Sequence, residues 1–209
     1  ACAGNDDDLG PILPMSQEYE LPQGKSPADD RIVAFYENYG SYILYEYGYL
    51  DFMRDLPATT YVYELPDPQY VGEMLDFLQD VWFGFYSDEF NKEFIPYKLF
   101  LTQRLVNGVS GADMPILTSK NAIRLNYCSD TLSTFSPADK LSIKNTLQIL
   151  LWGNLWSDEV DVPDDFFAVS DYSIMATSET EARMKGFIAD RGNEWSVDYG
   201  GGWGGWAFF

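Results

Sequence analysis

Aromatic side chains constrain the fold of this chain more than any other feature of its sequence. The 209 residues include 6 Trp, 15 Tyr and 14 Phe, and these rings make up 17% of the chain. Disordered segments are poor in aromatic residues, because they lack the apolar surface whose burial offsets the entropy of ordering. The sequence therefore predicts a folded core, and its length suits one large domain.

Helix-start signals and strand-like runs are mixed along the chain. Ser26–Asp30 and Ser136–Asp139 each combine a capping serine, a proline suited to the first turn and an acid that complements the helix dipole. Further helices are predicted at Pro68–Gly84, Asp88–Phe94 and Ser178–Phe187. Strands are predicted at Tyr42–Tyr47, Thr59–Tyr63, Tyr97–Leu101 and Ala122–Tyr127. Because these elements do not follow strict βαβ alternation, we predict the α+β class, with a small mixed sheet packed by several helices.

Composition also predicts the domain limits. Residues 1–25 are rich in Gly and Pro and hold few apolar runs, which predicts a flexible N-terminal tether. Residues 26–209 then form a single α+β domain that ends in a Gly/Trp-rich C-terminal tail, Tyr199–Phe209.

Histidine is absent from the whole chain. Its absence excludes the Ser–His–Asp triad, the Cys–His dyad and the histidine ligands of zinc and haem. The formal charge of −20, from 13 basic and 33 acidic residues, repels phosphate backbones. We therefore expect neither histidine-based catalysis nor a nucleic-acid partner.

The two cysteines have different predicted roles. Cys128 follows the apolar run 122–127 and is predicted to be a buried core thiol. Cys2 follows a small residue and precedes the acidic run Asp6–Asp8, an arrangement that resembles the processing site and export signal of bacteroidete surface lipoproteins. The resemblance implies lipidation of Cys2 and anchoring at the outer membrane or cell surface. The alternative is an unmodified cysteine in a disordered tail.

A longer resemblance begins at Asp30–Tyr47. Matching segments follow at Tyr70–Phe90, Pro96–Leu101, Val162–Phe166 and Ala182–Ile188. Together they resemble a family of bacteroidete lipoproteins, zinc-binding metallopeptidases associated with glycan-import systems, over most of residues 28–190. The resemblance implies a zincin-like scaffold and a place among outer-membrane uptake proteins.

The motif that defines this family is missing from the chain. His-Glu-x-x-His lies on a helix in the family, where its two histidines bind zinc and its glutamate is the base. The corresponding helix here is Lys140–Trp156, which contains neither His nor Glu. The resemblance thus implies a degenerate motif helix, marked by Leu147, Gln148, Leu150 and Leu151, with no catalytic residue, metal ligand or cofactor. The alternative is an ordinary amphipathic core helix.

Aromatic residues form a second group of candidates. Trp195, Trp203 and Trp206, together with the tyrosines at 45, 47 and 49, can stack on sugar rings while acidic neighbours bond the hydroxyls. The tyrosines also fit a strand with alternating buried and exposed faces, and the tail tryptophans fit docking on the domain.

The function expected from these observations is a catalytically inactive, metallopeptidase-like surface lipoprotein. It would bind or scaffold within a glycan- or peptide-uptake system, with a glycan or peptide ligand and a lipid at Cys2. Two alternatives stay open: a carbohydrate-binding protein that uses exposed aromatics, and an active metallopeptidase with atypical ligands.

Overall fold

The computed structural model describes residues 19–57 and 60–155, and within them helices and short strands are mixed. In chain order the elements are α1 (Asp29–Tyr39), β1 (Tyr42–Leu44), α2 (Tyr49–Phe52), β2 (Tyr61–Glu64), α3 (Val71–Val81), α4 (Asp88–Phe94), β3 (Lys98–Leu101), β4 (Arg104–Asn107), β5 (Ile116–Ser119), β6 (Ala122–Leu125), α5 (Thr131–Thr134) and α6 (Pro137–Leu150). A 3₁₀ turn at Pro68–Tyr70 leads into α3, and a π-helical turn at Leu151–Leu155 continues α6.

Four of the strands form one mixed sheet in the order β1-β3-β6-β5. β1, β3 and β6 are parallel, and β5 pairs antiparallel with β6. β2 and β4 form a separate antiparallel ribbon. The α+β class and the small mixed sheet packed by helices are therefore as the sequence predicts.

The two faces of the sheet carry different side chains, because successive residues of a strand point in opposite directions. One face holds the in-register row Ile43, Leu99 and Ile123, which packs into a core with α1, α3 and α6. The opposite face holds the rows Tyr42–Lys98–Ala122 and Leu44–Phe100–Arg124. This second face is covered by α2 and the β2–β4 ribbon, so both faces of the parallel strands are buried.

The helix ends match the sequence signals in part. Ser26 does not cap α1, whose N-cap is Ala28 without a side-chain bond, and the helix predicted for Pro68–Gly84 ends at Val81. α1 carries two acids in its first turn, and Gly40 ends it with a left-handed φ of 71°, its N–H donating to the carbonyl of Tyr36. α4 has the predicted bounds, with Ser87 capping it through a bond from the N–H of Phe90. The remaining predicted helix, from Ser178, lies outside the described residues.

Several strand predictions need correction. The strand predicted for Tyr42–Tyr47 ends at Leu44, because the N–H groups of Tyr45 and Glu46 both donate to the side-chain oxygen of Gln23 instead of to another strand. The predicted Thr59–Tyr63 strand is β2, shifted to Tyr61–Glu64. The sequence analysis did not find β4 and β5.

Part of the predicted tether lies against the domain. Gln23 bonds the residues just after β1 through the contacts above, and its amide nitrogen donates to the carbonyl of Glu46 at 2.6 Å. The N–H of Lys25 donates to the hydroxyl of Tyr45 at 2.9 Å, and the ring of Tyr19 packs edge-on against Tyr42 with centroids 5.0 Å apart. Residues 19–25 are thus packed, and residues 1–18 lie outside the described part.

The start of α6 is a reciprocal capping box. Ser136 Oγ accepts from the N–H of Asp139 at 3.3 Å, and Asp139 Oδ2 accepts from the N–H of Ser136 at 2.9 Å. These bonds from Ser136 lower the pKa of the Asp139 carboxyl. The box fixes where α6 begins and so the register of its buried face.

We predict that Ser136→Ala lowers the free energy of unfolding by about 1 kcal/mol, because the first turn of α6 loses its side-chain acceptor. Urea denaturation of the two proteins measures the change. Ser142→Ala, at an exposed position inside the same helix, is the matched control and should leave stability unchanged or raise it by about 0.5 kcal/mol. Equal losses in both variants would contradict the capping role.

Candidate ligand-binding groove

The residues predicted to mark a degenerate motif lie on α6 and its π-helical continuation. Leu147 and Leu151 are 1% and 0% exposed and belong to the main core, while Leu150 packs against it partly buried. Residues four apart share one helix face. The helix therefore presents hydrocarbon to the core at the spacing that a pair of helical metal ligands would need.

Gln148 lies beside these leucines and is held by two groups. Its amide nitrogen donates to the carbonyl of Val81 at 3.1 Å, and its oxygen accepts a short hydrogen bond from the hydroxyl of Tyr86. The indole N–H of Trp152 donates to that same hydroxyl at 3.0 Å. Burial raises the pKa of Tyr86, so the phenol stays a donor to Gln148. This arrangement joins α6 to the end of α3.

On the other side of the sheet, the buried guanidinium of Arg124 holds the C-terminal end of α2. Its Nε and Nη2 donate to the carbonyl of Phe52 at 2.9 and 2.6 Å, and Nη2 also donates to the carbonyl of Arg54 at 2.9 Å. Nη1 donates to Ser119 Oγ at 2.6 Å. The side chain is fully buried, and burial lowers its pKa to about 10. A cation at a helix C-terminus is favourable, so this fork fixes α2 on the sheet.

A second buried cation, Lys98, pairs with the side chain of Asp51 on α2. Lys98 Nζ lies 3.1 Å from Asp51 Oδ1, and both groups are largely shielded from solvent. The hydroxyl of Tyr19 donates a short hydrogen bond to the same carboxylate, and the ring of Tyr19 lies 4.8 Å from Lys98 Nζ. Burial, followed by the bond to Asp51, raises the pKa of Tyr19.

Two adjoining hollows flank α2, and we call them together the α2 groove. The outer hollow, about 620 Å³, is lined by Tyr19, Glu46, Tyr47, Gly48, Tyr49, Leu50, Asp51 and Arg54. The inner hollow, about 180 Å³, is lined by Asp51, Arg54, Asp55, Tyr97, Lys98, Phe100, Asn121, Ala122 and Arg124. Asp51 and Arg54 line both. Asp55 turns the chain after α2 with a left-handed φ of 62°, a conformation that Asp tolerates better than most residues.

The structure separates the three tyrosines that the sequence analysis grouped. Tyr45 is fully buried and its hydroxyl donates to Asp29 Oδ1 at 2.8 Å. Tyr47 is half-buried, and its hydroxyl donates to the carbonyl of Leu101 at 2.7 Å. Tyr49 is 59% exposed at the start of α2, next to Leu50 at 84%. A ring available for stacking is thus found at Tyr49, whereas Tyr45 is part of the core.

Of the remaining candidate residues, the structure describes Cys128 and leaves four others outside the described ranges. Cys128 is a fully buried free thiol, as predicted, and burial raises its pKa to about 12. The candidates Cys2, Trp195, Trp203 and Trp206 lie outside the described residues. Within residues 19–57 and 60–155, no cluster of three or more Cys, Asp or Glu side chains is placed to hold a metal ion, and no helix is long and apolar enough to cross a membrane.

Sequence reasoning missed the two cations that build the groove. Lys98 and Arg124 each interrupt a run predicted as a buried strand. A lone cation inside such a run has to find several acceptors when it is buried. That interruption is the signal that points to both residues, although it does not identify α2 as their partner.

Comparison with protein-family models, curated proteins and solved structures finds no match for this chain.

We predict that Arg124→Lys lowers the free energy of unfolding by about 2–4 kcal/mol, because one ammonium group cannot replace the guanidinium fork and buried carbonyls lose donors. Arg104→Lys is the control, since Arg104 pairs with Glu64 on an exposed surface and its replacement should change stability by less than about 0.5 kcal/mol. Chemical denaturation of both variants decides the matter. A change for Arg124→Lys as small as the control's would contradict the anchoring role.

We also predict that stability falls as the pH rises above about 10, the ordinary pKa of tyrosine. Burial raises the pKa of Tyr47 in the folded protein, so the folded state keeps a proton that the unfolded state releases, and stability present below pH 10 is lost above it. Urea midpoints measured across this range should show a shallower fall for Tyr47→Phe than for the original chain. Superimposable slopes would be inconsistent with this assignment.

Proposed function

We propose that this chain is a non-catalytic binding protein built on a zincin-like scaffold. It is displayed at the outer membrane or cell surface by a lipid on Cys2 and belongs to a glycan- or peptide-uptake assembly. The observation that carries the proposal is the buried pair formed by Leu147 on α6 and Leu151 at the start of its π-helical continuation. Their i, i+4 spacing equals that of the two histidines in the His-Glu-x-x-His motif.

Gln148, which lies between these two leucines, supports the same alignment of the helix with the motif. When Leu147 and Leu151 take the places of the two histidines, Gln148 takes the place of the glutamate. Glutamine has the size of glutamate but accepts no proton at neutral pH, so it cannot act as the base on a metal-bound water. The bonds of Gln148 to Val81 and Tyr86 give it a structural task instead.

A second candidate function is carbohydrate binding through exposed aromatics, and the exposure of Tyr49 beside an open hollow favours it. Trp195, Trp203 and Trp206 stay candidates for the same purpose. The third candidate function is a metallopeptidase with atypical ligands. It requires a bound metal ion, whereas the first candidate requires none, so elemental analysis distinguishes the two.

We predict that the full chain, purified without a histidine tag, equilibrated with zinc and then desalted, retains far less than one zinc per protein, because leucines replace the ligands and carboxylate-only zinc sites are unusual. Elemental analysis by mass spectrometry gives the ratio, and an unstructured-peptide hydrolysis assay on the same sample should show no zinc-dependent cleavage. Stoichiometric zinc, or cleavage that a chelator abolishes, would overturn the proposal.

The surface anchor has its own test. Mass spectrometry of the protein extracted from its native membrane should show an acylated Cys2, and Cys2→Ser should release the protein from the membrane fraction. An unmodified Cys2 on membrane-bound protein would refute the anchor and leave the non-catalytic reading of α6 untouched.

A further inference from the structure

We infer that the α2 groove is a binding site for a neutral saccharide, with the ring of Tyr49 as its stacking surface. This inference rests on the proposed binding function and gives it a location and a ligand class. The outer hollow, at about 620 Å³, has the size of small-molecule sites in proteins. Its walls combine tyrosine rings with carboxylates and a guanidinium.

The first argument is the rigidity of α2. A helix of 4 residues does not persist alone, because helix nucleation is costly. Here its carbonyl end is fixed by Arg124 and its Asp51 side chain by Lys98, both of them buried cations. The two cations hold a platform from which Tyr49 and Leu50 extend into solvent. An aromatic side chain on a rigid support can contact a ligand without the entropic cost of ordering the support first.

The second argument is the chemistry of the walls. The face of an aromatic ring carries partial negative charge, so it packs well against polarised C–H groups such as those of a sugar ring. The carboxylates of Glu46 and Asp51 and the guanidinium of Arg54 lie along the same hollow and suit hydroxyl groups, which both donate and accept. A stacking ring flanked by polar groups of both signs therefore matches a sugar better than a purely apolar ligand.

The third argument is the charge balance, which favours a neutral ligand. Asp51 is paired with Lys98, and Glu46 lies 2.9 Å from Lys25 Nζ. Arg124 directs its donors at protein oxygens. The whole chain carries −20, so its field opposes the approach of uronates, sulfated sugars and nucleotides.

The fourth argument separates a saccharide from a peptide. An extended peptide gains affinity by adding a strand to an open sheet edge. Beside the groove, the chain just beyond β1 already bonds the side chain of Gln23, which satisfies the N–H groups of Tyr45 and Glu46 and the carbonyl of Glu46. The backbone groups that a peptide would use there are occupied.

The test is binding of the full chain to neutral oligosaccharides prepared from starch, cellulose, xylan, mannan and β-1,3-glucan. Polygalacturonate oligosaccharides and an unstructured peptide library are the comparison ligands. Calorimetry should show binding to at least one neutral oligosaccharide, a weakening of about tenfold or more in Tyr49→Ala, and retention in Tyr49→Trp. Phe85→Ala is the matched control, because Phe85 is similarly exposed (53%) but contacts Lys144 on α6, away from the groove.

Each other outcome has a defined meaning. Binding to no neutral oligosaccharide, a preference for polygalacturonate, or affinity equal in Tyr49→Ala and Phe85→Ala overturns the groove assignment. Binding of a peptide that is abolished by Tyr49→Ala also overturns the assignment of a saccharide ligand, but it is consistent with the proposed binding function. Failure of the proposed function itself is read separately, from stoichiometric zinc in the elemental analysis.

Discussion

The hydrogen bonds of the Arg124 guanidinium are the interaction on which the sheet face covered by α2 depends. The side chain crosses from β6 to the carbonyl end of α2, a separation of 72 residues in sequence, and meets two carbonyls there. A guanidinium offers five donors in a planar fork, which suits carbonyls that converge at a helix end. Without that fork the carbonyl end of α2 would lose its buried donors, and the contact between Lys98 and Asp51 would hold the helix with less support.

The acidity of the chain explains why cations take this place. Within the part of the chain that the structure describes, the buried charged side chains are Lys98 and Arg124, both basic. Burial disfavours any charge, but surrounding carboxylates favour a buried cation over a buried anion. Asp51 and Asp55 act in this direction on Arg124, raising its pKa against the larger lowering by burial. In this chain with 33 acidic residues, two of the 13 basic residues thus form buried contacts that hold α2.

Local signals in the sequence predicted the helices better than the strands. Ser136 and Gly40 mark helix ends through backbone bonds that depend on neighbouring residues alone. β4 and β5 escaped prediction, because short strands with mixed polarity are defined by their partners across the sheet. The groove was partly predictable: Tyr49 was among the candidates, while Asp51 and Arg54 gain their roles from tertiary contacts with distant strands. The zincin-like scaffold stays a prediction, since the alternation of elements is compatible with more than one arrangement.

The hydrogen bonds that the side chain of Gln23 forms with the residues just after β1 have a consequence for solubility. The terminal strand of a sheet offers unpaired backbone groups, and a second molecule can add to them and begin an aggregate. Just beyond β1, the amide side chain of Gln23 reduces that risk, since it mimics a peptide group by accepting from two N–H groups and donating to one carbonyl. At high protein concentration, neighbouring copies would find these three backbone groups already bonded and so unable to pair with a strand of their own.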